Sequence, residues 1–99
     1  MTKIEEIKEN YKIDGDAPAA IKAYSEVIAD ANLDDPLLKA LAEEALVERG
    51  LLFWKMGDRA AAINDYNEAI RLNPASRAVQ VKQATYDILD FYHKDLFNP

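Results

Sequence analysis

The chain has 99 residues, with 12 Lys and Arg against 18 Asp and Glu for a formal net charge of −6, and it is 49% hydrophobic and 30% charged. That length fits one domain around one core, and apolar residues that recur at helical spacing disfavour both a disordered chain and a membrane-spanning one. Cysteine is absent, so disulfides and thiolate metal sites are excluded, while scattered basic residues under a negative net charge disfavour nucleic acid as a partner. No export signal is recognised after Met1, and a cytoplasmic location is expected.

In chain order, Thr2 with Glu5 forms a capping box that opens a helix over about 3–13, carrying Ile4, Ile7 and Tyr11. Gly15-Asp16 supplies a turn and an N-cap, and a second helix follows over about 17–31 with Ala20, Ile21, Tyr24, Val27 and Ile28. Asp35-Pro36 caps and starts a third helix over about 36–56, its beginning extended by Leu37, Leu38 and Leu41. Gly57-Asp58 repeats the turn and cap before a fourth helix over about 59–72, Asn73-Pro74 stops it, and Ser76 caps a fifth over about 77–95.

Setting Gly15-Asp16 over Gly57-Asp58 aligns Ala20-Ile21 with Ala62-Ile63, Tyr24 with Tyr66, Tyr11 with Phe53 and Ile4 with Leu46. Residues 43–76 resemble a tetratricopeptide repeat, whose period is about 34 residues. Leu46, Gly50, Phe53, Ala62, Tyr66, Ala69 and Pro74 stand where that pattern wants a large apolar, a small, an aromatic, a small, an aromatic, a small residue and a proline. Arg49 departs from it, since a large apolar residue is preferred there; in the first unit Lys8, Val27 and Asn32 depart. The resemblance implies an all-α fold of two antiparallel helical hairpins plus a closing helix, a short right-handed α-solenoid. As one domain it would comprise repeat one at about 1–34, an extended linker and helix start at 35–42, repeat two at 43–76, and a capping helix and tail at 77–99.

Little in the chain points to chemistry. His93 is the single histidine, with no second histidine or thiol to complete a metal site or triad. Asp14-Gly15-Asp16 has the start of a calcium loop but lacks its later ligands, and the matching Gly57-Asp58 explains it as turn chemistry. The three glycines are isolated, so there is no phosphate loop or nucleophile elbow. Neither catalytic residue, cofactor nor metal is expected.

By the resemblance, the first helices of successive units line a groove for a partner protein or peptide. The lining would be Thr2, Glu5, Glu9 and Lys12; then Glu44, Val47, Leu51 and Trp54; then Ala78, Val81, Thr85 and Ile88. Glu5 and Glu9 would repel a C-terminal carboxylate, so an apolar segment with basic flanks is expected, with Trp54 either a contact or a half-buried core residue. The closing helix should turn Val81, Ala84 and Ile88 to the second hairpin, leaving Tyr86, Leu89 and Tyr92, with Leu96 and Phe97 of the tail, as a self-association surface. The expected function is a non-catalytic adaptor or assembly module. A homo-oligomeric structural protein is the alternative, and an enzyme of unrecognised type comes third.

Overall fold

The computed structural model describes the backbone of residues 1–97 and the side chains of residues 1–88. Five helices make up the described chain: α1 Lys3–Asp14, α2 Ala17–Asp30, α3 Pro36–Lys55, α4 Arg59–Leu72 and α5 Ala78–Phe97. Their ends fall within one or two residues of those expected from the caps.

Each predicted cap is made. Thr2 Oγ1 accepts from the Glu5 amide at 3.2 Å, Asp16 from Ala19 at 3.0 Å, Asp35 from Leu37 at 2.9 Å, Asp58 from Ala61 at 3.1 Å and Ser76 from Ala78 at 3.1 Å. Such caps contribute on the order of 1 kcal/mol apiece. Gly15 and Gly57 adopt φ of +66° and +89°, the left-handed geometry that ends α1 and turns the chain after α3. Asp14 Oδ1 accepts from the Asp16 amide at 2.9 Å, so the Asp14-Gly15-Asp16 carboxylates serve the turn.

Helix α3 is the spine. One side places Ala45 and Leu52 with Ile4, Ile7, Ala20 and Tyr24 of the first hairpin. The other places Ala42, Leu46 and Val47 with Ala62, Tyr66, Ala69 and Leu72 of α4 and Ala78 of α5. A helix packed from two sides directs apolar residues to two faces, with Lys39, Glu43, Glu44 and Glu48 among them, which accounts for the lack of a single stripe in its sequence. Its extended start overhangs α2, with Leu41 packed on the first core and Leu38 beside Val27 and Ala31, while Leu37 stays 78% exposed.

Gly50 sets the α3–α4 spacing: a Cβ there would stand 2.6 Å from Cε1 of Tyr66, so only hydrogen fits beneath that ring. Arg49, the departure from the repeat pattern, is satisfied in place of an apolar residue. It donates through Nε and Nη2 to both carboxylate oxygens of buried Asp65, at 2.8 and 2.7 Å, and through Nη1 to Ser25 Oγ at 3.0 Å. Helices α2, α3 and α4 are thereby pinned at one point.

One expectation is corrected at α5. Its packing face is Ala78, Val81 and Thr85, whereas Ala84 and Ile88 are exposed. Ala78 and Thr85 can be enclosed because they are small and the Thr85 hydroxyl donates back to the Val81 carbonyl at 3.0 Å, so no polar group is stranded.

Candidate functional site

Helices α1 and α3 run side by side in the same direction, a register fixed by two contacts. Lys8 Nζ lies 3.5 Å from Glu48 Oε1, and further on, about one turn along α1 and two along α3, Lys55 Nζ donates to the Tyr11 hydroxyl at 3.0 Å while sitting over its ring. Between the helices is a cleft of about 370 Å³, its floor made by Tyr11, Tyr24, Leu51 and Leu52 and its mouth by Lys8, Glu9, Lys12, Glu48 and Lys55. A larger cleft of about 540 Å³ lies on the far flank of the first hairpin, where Glu6, Asp14 and Asp16 face Ala19 and Ala23. The smaller one combines a mostly apolar floor with side chains converging from three helices, the composition expected of a recognition site.

Glu48 ties the first helices together. Its Oε1 also accepts from Arg77 Nη2 at 2.6 Å, so one largely buried carboxylate joins α1, α3 and the chain entering α5. Tyr24 lies beneath this cluster, and its hydroxyl is pushed up to about 12, first by burial and then by the Glu48 and Glu44 carboxylates, with Arg77 acting the other way. Burial, and secondarily Asp65, also raises Tyr66.

Of the residues expected to line a groove, the cleft brings together Glu9, Lys12 and Leu51, with Leu51 37% exposed. Glu5 is exposed and Glu44 half-buried toward the helix starts, and Thr2 is the α1 cap. Val47 and Thr85 require correction: at 0% and 5% exposure they belong to the core, Val47 between α3 and α4 and Thr85 on the inner face of α5. Ala78 is likewise enclosed and Val81 half-buried, so α5 offers only Ile88 of that set to solvent. Trp54 is half-buried against the second core with the Arg59 guanidinium 5.0 Å from its ring centre. Tyr86 is 42% exposed, under the Lys82 ammonium. Leu89, Tyr92, His93, Leu96 and Phe97 have side chains outside the described residues.

Sequence reasoning missed Lys8, Tyr11, Tyr24, Glu48, Leu52 and Lys55 as members of this cleft. Lys8 was visible as a departure from the repeat pattern, and Glu48 and Lys55 lie one turn from Glu44 and Leu51 along the same helix. Among the described residues no cluster of His, Cys, Asp or Glu could hold a metal ion, and no helix is long and apolar enough to cross a membrane.

Residues 43–76 match the tetratricopeptide repeat family. A Bacteroides fragilis protein, BF1650, solved by solution NMR, is 36% identical, with a TM-score of 0.75 over 99% of this chain and 91% of that one. No curated protein matches. The second hairpin's match, the all-α architecture and the full-length likeness to a small solved protein agree: this chain belongs to the tetratricopeptide repeat family.

Proposed function

We infer that the chain is a non-catalytic adaptor or assembly module whose α1–α3 cleft receives a segment of a partner protein. Tetratricopeptide repeats mediate protein–protein interaction, and the observation that carries the reading is the apolar-floored cleft between the first helices of the two hairpins, with Leu51 exposed at its centre. A cysteine-free composition is compatible with the cytoplasm as the place where this happens.

Leu51→Asp removes apolar floor without touching the core, and is a cleaner control than Trp54→Ala, which would also unpack the second core. Native-cell proteins retained by the parent and lost by Leu51→Asp support the reading. Equal retention by both rejects this cleft as the working surface.

Self-association is the second reading, favoured by Val79, Tyr86 and Ile88, which are 40%, 42% and 44% exposed on α5. Sedimentation across a dilution series separates the two, since a stable oligomer whose mass falls on Tyr86→Glu substitution would make α5 the main surface.

A further inference from the structure

We propose that the partner segment seated in the α1–α3 cleft is acidic, with carboxylates flanking an apolar side chain; this rests on the reading of the cleft as a protein-binding site. The sequence led to the opposite expectation, basic flanks, because Glu5, Glu9 and Glu44 fall at first-helix positions. The geometry distributes charge differently. Glu5 and Glu44 lie about two turns, roughly 10 Å, before Lys12 and Leu51 along the parallel helices, beyond a short segment seated on Leu51.

At the mouth itself three lysines face two glutamates, and one of those glutamates, Glu48, is already held by Lys8 and Arg77. The ammonium groups of Lys12 and Lys55 stand at the finishing ends of α1 and α3, on either side of the cleft. Lys12 is exposed and makes no ion pair among the described residues, and the Lys55 ammonium is bonded to a neutral phenol rather than to an acid. Lys12 and Lys55, neither in an ion pair among the described residues, thus outnumber Glu9, the one carboxylate at the mouth in the same position, beside an apolar floor in a chain whose net charge is −6. At physiological ionic strength screening acts over about 8 Å, so groups in contact with the mouth respond to these lysines more than to the distant acidic surface. Charge complementarity then selects carboxylates beside the apolar anchor.

The test uses the full chain and two fluorescein-labelled peptide libraries with randomised apolar centres, one flanked by glutamates and the other by lysines, read by anisotropy near 0.15 M salt. Glutamate-flanked peptides should bind about tenfold tighter or better, and Lys12→Glu should cut that preference at least about fivefold. Lys55→Gln serves as a second variant, and circular dichroism checks that both remain helical. Tighter binding of lysine-flanked peptides, lost on Leu51→Asp, would overturn the acidic assignment and leave the protein-binding cleft standing. Absence of binding in both libraries would overturn both.

Discussion

Arg49 and Asp65 face each other across α3 and α4 as a two-pronged ion pair, with the Arg49 and Asp65 side chains 20% and 7% exposed. Removing the cation alone would leave an enclosed carboxylate and the Ser25 hydroxyl short of a donor. Arg49→Ala should therefore cost about 2–4 kcal/mol in urea unfolding, while Arg49→Met combined with Asp65→Leu should lose less than the single change. A double variant weaker than Arg49→Ala would mean that the pair itself, rather than the stranded charge, dominates.

Gly50 gives a prediction opposite in sign to helix propensity. Alanine is about 1 kcal/mol better than glycine inside a helix, yet its methyl would press on the Tyr66 ring. Gly50→Ala should be net destabilising by about 1–3 kcal/mol, and Ala62→Trp at least as much, because Ala62 is fully enclosed by the same helices. Thermal melting of the two variants checks this; a raised midpoint for Gly50→Ala would mean that α3 and α4 can separate without cost.

Helix number, type and limits were legible because they depend on local chemistry: Thr2, Asp16, Asp35, Asp58 and Ser76 cap in the sequence as they cap in space. The small residues Gly50, Ala62 and Ala69 likewise announced close packing. The orientation of α5 was harder to read. Val81, Ala84 and Ile88 form a plausible apolar stripe, but the residues enclosed along with Val81 are Ala78 and Thr85, and threonine gave no apolar signal. The cleft was partly legible, through Leu51, Lys12 and Glu9. Its charge was not, because the sign at the mouth depends on Glu48 being held by Lys8 and Arg77, three residues brought together only by the fold.

Alkaline pH should probe the buried tyrosines. Tyr24 titrates near 10 in an unfolded chain and is raised to about 12 here, so its contribution is complete below pH 10 and is lost as pH rises toward 12, when the unfolded state alone can release the proton. The loss attributable to Tyr24 is on the order of 2 kcal/mol. Tyr24→Phe should flatten the stability profile across that interval, leaving the dependence from Tyr66, which is shifted in the same direction. Urea titrations at stepped pH make the measurement, and an unchanged slope in Tyr24→Phe would remove Tyr24 as its source.

The closing helix separates packing from surface in one set of substitutions. Val81 is half-buried against the second core, so Val81→Asp would place a carboxylate where α4 and α5 meet and should cost about 2–4 kcal/mol. Ala84→Asp and Ile88→Asp project to solvent and should melt within about 0.5 kcal/mol of the parent. Truncation before Arg77 removes Ala78 and Val81 together with the Arg77–Glu48 bond, and should expose the apolar face of α4 and cause unfolding or aggregation. Circular dichroism melts read the packing, and sedimentation of the same proteins reads assembly. If Ile88→Asp lowers the mass at constant helicity, α5 is a contact between copies. If it lowers the melting point as much as Val81→Asp does, the helix packs through its Ile88 face in solution and the orientation described for α5 is wrong.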